Sequence, residues 1–436
     1  MGKFAIIFLL TFGGGIFATL AIDASWGVYA WIIEYFFNPK IRWWYHQLPE
    51  LRYSFLIILS ILVSWFIRRK KYSQNRLLDL PQTKWIAALV AMCGLINFWA
   101  AWPEMHWLYF IAFVKLVIVI AVVYKVIDTP VKLERMIWAY MFGAFYIGWI
   151  AFSYGRTSGG RLEGVGFSDG MDANAVAAAI ATVVPLIVYY VFYDKRIYAR
   201  IIYTVFLVFT LNTLVIANSR GGFLGLIGAM VYFFLRIYFS TIPKNEAKRF
   251  QFVMLGCCAV AMFFYLADAA FWERMSTLGD AADQAANTAG RTYFWAKTFD
   301  LVRDHPFGVG IWGYQYLSPQ FIPPEMLTLG EHGARRAVHS TLFQAFSEYG
   351  YLGIVLLGGM VMSNFSFIWR VQRELLKKSA YKLFFKAISI ESAFIGYLIP
   401  ILFIDRLYSQ SLYVNIAMIS CFGNIYYLKR DTQETE

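Results

Sequence analysis

Stretches of about twenty predominantly apolar residues recur along almost the whole chain, and no other feature limits its fold as much. Each is long enough to cross ~30 Å of hydrocarbon as an α-helix, which satisfies every backbone N–H and C=O within its own segment. In order they cover residues 4–22, 54–68, 83–102, 107–126, 133–153, 172–193, 199–217, 221–240, 250–270, 349–369, 384–404 and 408–428. A closed β-barrel would show short alternating segments instead, and these are absent. Only 15% of the 436 residues are charged, against roughly a quarter in a soluble domain. The expected fold is an all-α polytopic membrane protein with about twelve transmembrane helices. Ser25 to Phe37 is apolar but short, and reads as a re-entrant or interfacial helix. The Lys40, Arg42, Trp43, Trp44 stretch after it suits a membrane interface.

Lysine and arginine set the orientation. The loops carrying Arg68 to Lys71, Lys125 with Lys132 and Arg135, Lys195 with Arg196, Lys244 with Lys248, and Arg370 to Lys382 fall on one side, with Lys429 and Arg430. The positive-inside rule makes that side the cytoplasm and places both termini there. The net charge of +12 is spread through these short loops rather than gathered on one soluble face, so nucleic acid is not the expected partner. The run after Lys3 has no small-residue cleavage site, so the first span is expected to stay. The four cysteines (Cys93, Cys257, Cys258, Cys421) lie within apolar spans and read as small buried hydrophobes.

The opposite face receives three longer loops, 23–53, 154–171 and 271–348. The last is too long for a connector and carries aromatics and Pro/Gly punctuation, including Pro306-Phe307-Gly308-Val309-Gly310. The expected organisation is a transmembrane bundle over 1–270, an external subdomain over 271–348 and further transmembrane helices over 349–436. The external side also holds arginine almost exclusively, including Arg42, Arg156, Arg161, Arg220, Arg291, Arg335, Arg336 and Arg406, with Lys40 and Lys297 as exceptions. A guanidinium fork matches phosphate or carboxylate bidentately and an ammonium does not. Orientation disfavours positive charge there, so some of these arginines are expected to hold an anion.

Arg220 sits in Asn218-Ser219-Arg220-Gly221-Gly222, at the junction of two spans. The glycines allow a tight turn, and the following helix N-terminus adds positive potential, a good diphosphate site. The competing reading is an arginine that snorkels at a helix end. Arg161 reads equally as an anion ligand or as a loop residue paired to Glu163, and Asp172 as the N-cap of the next helix. Arg291 opens a helix-like run, where it opposes the macrodipole. His339 follows Arg335 and Arg336 at helical spacing, and nearby cations favour the neutral imidazole that a general base needs. Glu348 is the alternative base or an orienting group. Lys115 lies inside a span and is kept as a secondary phosphate contact; Glu391, also inside a span, is assigned no role. No Asp-x-Asp, His-x-x-x-His or cysteine pair marks a metal site in the external loops. Arginines could neutralise a leaving diphosphate in its place.

The Asn-Ser-Arg-Gly-Gly turn at 218–222, Gly290-Arg291-x-x-x-Trp295, Pro306-x-Gly308-x-Gly310, and His339-Ser340 followed by Glu348-x-Gly350-x-x-Gly353 together resemble the O-antigen ligase superfamily. That superfamily includes O-antigen polymerases and bacterial O-linked oligosaccharyltransferases. Asp172-Ala173-Asn174 departs from its frequent Asp-Pro-Asn, where a proline is tolerated but not required. The resemblance implies a GT-C-like glycosyltransferase without a cofactor. It would pass O-antigen glycan from undecaprenyl diphosphate to lipid A–core at the periplasmic face of the bacterial inner membrane. Arg220, Arg291 and Arg161 would bind the diphosphate, and His339 would deprotonate the acceptor hydroxyl. Arg336, Lys115 and Glu348 are secondary candidates. A polymerase or a protein O-oligosaccharyltransferase is the nearest alternative. A lipid-linked glycan transporter is a third, although no inverted repeat is evident.

Overall fold

The structure is a computed structural model that describes residues 2–156, 160–162, 164–168, 170–240, 285–330 and 332–429, with isolated positions between 242 and 273; of 285–290 only the backbone is described. The helices of its first half are α1 (Lys3–Ala21), α2 (Ser25–Phe37), α3 (Tyr53–Ile67), α4 (Thr83–Ile96), α5 (Pro103–Val126), α6 (Pro130–Tyr154), α7 (Ala173–Ala181), α8 (Val183–Tyr193), α9 (Ile197–Ala217) and α10 (Arg220–Tyr238). After the undescribed stretch come α11 (Ala285–Asp304), α12 (Gly313–Leu317), α13 (Thr341–Tyr349), α14 (Tyr351–Lys377), α15 (Tyr381–Leu398) and α16 (Gln410–Gly423). Among the described residues eight helical spans are long and apolar enough to cross a membrane, with α3 and α4 as shorter apolar helices. The chain is an all-α polytopic membrane protein. Most of the expected span at 250–270, with the cysteines Cys257 and Cys258, lies outside the described residues, so the count of twelve is not fixed.

The most buried span is α7–α8. It breaks at Thr182 because Pro185 has no N–H to offer the Ala181 carbonyl. Thr182 caps the break by donating its hydroxyl to Ala179 O at 2.6 Å, with Tyr140 OH 3.2 Å away. The alanines of α7 let α10 approach closely: a Cβ on Gly222 would lie 2.4 Å from Ala177 Cβ. Gly222 is thus a packing residue inside α10. The turn before it belongs to Asn218, in the left-handed region at φ 50°, which corrects the role expected of the glycines.

The bundle has two chemically different ends. At one, Asp23 binds Lys71 at 2.6 Å and Lys132 at 3.3 Å, while Lys132 also binds Asp128 at 2.7 Å. Burial alone would raise the Asp23 carboxyl, but the Lys71 and Ser25 hydrogen bonds and the Lys132 charge hold it well below the usual range. Lys429 reaches Asp128 O there, so the C-terminal helix ends on this side. Residue 2 lies at the other end: its amide donates to Gln47, and Phe4 packs on Trp149 near the end of α6. This corrects the expectation that both termini share a side.

The reason is α2. It starts beside Asp23 and finishes where Arg42 clamps Phe36 O, Phe37 O and Gly166 O and where Ser168 N–H meets Tyr35 O. Its 13 residues rise about 20 Å, so the segment read as interfacial runs along α6 from one end of the bundle to the other. Arg42 is correspondingly a main-chain clamp and not an anion ligand.

Candidate active site

Opposite the acid-paired end, residues 285–340 form a cap with a small core of its own, built on Phe294, Leu301, Val309, Tyr314, Ile322 and Val338. A two-stranded hairpin, β1 (Thr328–Gly330) and β2 (Gly333–Arg335), leads into His339. Sequence spacing had put Arg335, Arg336 and His339 on one helix face, but the chain there is strand and then loop. Arg335 turns away, its guanidinium 4.5 Å from the Trp102 ring centre and 4.9 Å from that of Tyr316.

His339 itself holds φ 55°, which costs a non-glycine residue energy and persists only where neighbours enforce it. Asp405 does so from the turn between α15 and α16. One carboxylate oxygen accepts His339 N–H at 3.2 Å, and the other accepts Ser340 N–H at 2.8 Å. Thr341 fastens the two segments again, donating its hydroxyl to Ile404 O at 2.7 Å and accepting Arg406 N–H at 2.9 Å. From the other side Trp295 of α11 donates its indole N–H to Val338 O at 3.1 Å and stacks on Phe343. The imidazole is half-buried. Burial lowers its pKa, Asp405 opposes that, and the Arg336 and Arg291 charges reinforce it. The outcome is a largely neutral imidazole near pH 7.

Four arginines converge on the same place. Arg291 projects from the second turn of α11, not from its start, so the macrodipole argument made for it does not apply. Its guanidinium is pushed below the ordinary pKa by burial and by the charges of Arg220, Arg336 and Arg161; it remains a cation. Arg336 lies 4.9 Å over Phe294, one turn along α11, with Nε buried and unpartnered. Arg220 is the first residue of α10, whose N-cap Ser219 accepts Gly222 N–H. Asn174 ties this N-terminus to the preceding loop, since its side-chain oxygen accepts Arg161 Nη2 at 2.8 Å and Ser219 Oγ at 2.9 Å. Glu163, the partner considered for Arg161, lies outside the described residues. Neither Arg220 nor Arg291 makes a salt bridge among them. Crowded guanidiniums at a helix N-terminus repel one another and favour an anion between them.

Behind this layer Glu348 is buried in α13. It accepts hydrogen bonds from Tyr408 OH, from Gln344 Nε2 at 3.2 Å and from Trp312 N–H at 3.5 Å. Burial pushes its carboxyl up to about 8, and it acts as a joint between the cap and the bundle. The two glycine motifs form one unit here: Val309 N–H reaches Ser347 O, Gly310 N–H reaches Glu348 O, and Tyr351 N–H reaches Pro306 O. A Cβ on Gly308 would lie 2.3 Å from Glu348 O, and one on Gly350 1.9 Å from Pro306 O. Both glycines have positive φ, so only glycine fits either position.

Lys115 is not brought to this site. It lies exposed in the middle of α5, about 18 Å of helix from Pro103. Sequence reasoning missed Asp405 as the group that fixes His339, and missed the Arg406–Asp172 salt bridge at 2.6 Å that joins the α15–α16 turn to the start of α7. The available signal was an acid–arginine pair, Asp405-Arg406, in a short turn between two apolar runs. Asp172 does cap α7 as expected, accepting Asn174 N–H and Ala175 N–H.

Residues 205–358 match a family model whose description is O-Antigen ligase. The matched segment holds Arg220, Arg291, Arg336, His339 and both glycine motifs; Arg161 and Asp405 lie on either side of it. No curated protein matches the chain.

Proposed function

We propose that this chain, a polytopic membrane protein of the O-antigen ligase superfamily, is an inverting glycosyltransferase. It would move O-antigen glycan from undecaprenyl diphosphate to lipid A–core at the periplasmic face of the inner membrane. The observation that carries this reading is the meeting of Arg220, Arg291, Arg336 and Arg161 beside a half-buried His339. In this mechanism the guanidiniums hold the diphosphate and take up the charge that develops as the anomeric C–O(phosphate) bond breaks. His339 takes the proton of the acceptor hydroxyl, whose oxygen forms the new bond from the opposite face of the anomeric carbon. Asp405 acts through His339 as a positioning residue: it holds the backbone and stabilises the imidazolium once the proton arrives. No divalent ion is required in this scheme.

Purified full-length chain given lipid-linked glycan and separate acceptors tests the proposal. Transfer to lipid A–core that survives a chelator and disappears in His339→Ala is the expected result. Chain growth on the lipid-linked repeat alone would assign a polymerase, and transfer to a protein hydroxyl an oligosaccharyltransferase. Full transfer by His339→Ala would remove it as the base.

A further inference from the structure

At the acid-paired end a cleft of about 500 Å³ opens between α6, α8, α9 and α15. Its wall carries Arg135, Lys195, Arg196 and Lys382 against only Glu134 and Asp194. Both acids are already engaged. Asp194 receives Arg196 at 2.8 Å, and Glu134 receives the buried Lys386 together with Tyr190 OH. Arg135, Lys195 and Lys382 make no salt bridge among the described residues. Lys386, 1% exposed, needs Glu134 as its counter-ion, and this consumes the charge of that cleft-lining acid. With that acid masked, the cleft presents three unmatched cations to a ligand. The lining then turns aromatic, with Tyr189 stacked on Tyr193.

What lies beside the cleft indicates the ligand. Ile197, Tyr198, Ile201 and Val205 on α9 are 69%, 59%, 58% and 43% exposed, with Trp138 of α6 at 42%. Trp138 and the first turn of α9 thus give the charged mouth an apolar face toward the lipid, along which acyl chains would lie. A free phosphate would have no use for that face. Basic pockets between transmembrane helices, with an interfacial Trp/Tyr border, suit anionic lipid headgroups. The geometry points to a binding site for the phosphodiester headgroup of an anionic phospholipid such as phosphatidylglycerol or cardiolipin. It lies at the end of the bundle opposite His339 and is independent of the glycosyl-transfer proposal.

The test is native mass spectrometry of the full chain released from nanodiscs that contain phosphatidylglycerol and phosphatidylcholine. The wild-type chain should retain phosphatidylglycerol preferentially. Arg135→Gln with Lys382→Gln should lower retention by about fivefold per cation removed; both side chains are exposed, and the Lys386–Glu134 pair is left intact. Lys195→Gln, on the connector, gives the single-charge step should the double variant fold poorly. Arg370→Gln with Arg373→Gln, exposed on α14 and outside the lining of this cleft, should leave retention unchanged. Equal retention in the cleft variants overturns the site, and an equal loss in the α14 variant overturns its specificity. Displacement of the lipid by millimolar inorganic phosphate would reassign the cleft to a soluble anion.

Discussion

The two ends of this bundle use their basic side chains differently. Around Asp23, cations meet acids directly: Lys71 and Lys132 on Asp23, and Lys132 on Asp128. Around His339, guanidiniums meet one another. Arg291 feels Arg220, Arg336 and Arg161, and Asp405 is the acid that opposes them. Matched charges order a fold, and their removal shows in stability. Like charges held together against their repulsion are useful only to a third party that carries the opposite sign. Position within the bundle thus says less about a basic residue than whether its charge is already matched.

The largest break in that contrast should come from the unmatched side. Arg220→Ala and Arg291→Ala are each expected to lower glycosyl transfer by at least ~10²-fold with unchanged melting in detergent, since in the proposed mechanism each removes charge stabilisation from the leaving diphosphate. Arg291→Lys should recover little, because an ammonium lacks the fork. Retained transfer in both alanine variants would make these arginines snorkelling residues. His339→Ala should cost a comparable ~10²-fold or more.

Asp405→Asn sharpens the contrast from within the site. An amide oxygen can accept one of the two N–H groups but brings no charge, so a loss of roughly tenfold in kcat is expected. The pH profile separates this from simple misfolding. Asp405 raises the His339 pKa, so its loss should move the acid limb of the profile to lower pH. An unmoved limb would leave Asp405 with a purely structural part.

Glu348 gives a smaller effect with a defined sign. Its folded pKa, about 8, lies above its ordinary value of 4.5, so the folded state holds the proton more tightly than the unfolded state. Stability should therefore fall as pH rises from about 4.5 to about 8 and level off beyond. Glu348→Gln should flatten that slope in thermal melts, and a slope kept in full would show that the carboxyl is not its source. The smallest effect belongs to the matched end. Asp23→Asn should lower the melting temperature by a few degrees, from the loss of roughly 3 kcal/mol as a buried ion pair is broken, and leave transfer rates untouched.

Much of the site was legible in the sequence because it is written in residue types that a membrane protein uses sparingly. An arginine outside, a histidine before a helix and a pair of spaced glycines each stand out against hydrocarbon-compatible chain. Arg220, Arg291 and His339 were found that way, as was the Asp172 cap. Legibility failed where an assignment needed geometry. Local spacing could not reveal that His339 takes a left-handed backbone, nor that an acid 66 residues away holds it there. The sidedness of residue 2 failed for a related reason. At 13 residues, α2 falls short of the length expected of a span, and it crosses the bundle packed along α6, a tertiary fact. Glu348 shows the reverse case: beside a histidine it looked like a catalytic partner, and its three hydrogen bonds make it a joint.

The left-handed backbone at His339 has an evolutionary consequence. Glycine, and to a lesser degree asparagine and aspartate, are the residues most at ease at φ 55°. A lineage that no longer needed an imidazole there would drift toward those residues, since almost any first step in that direction relieves strain. If His339 is the base proposed above, selection would have to hold histidine there against its own backbone preference. On that proposal, glycine or asparagine at the equivalent position of a descendant would mark a chain that has given up the reaction while keeping the fold.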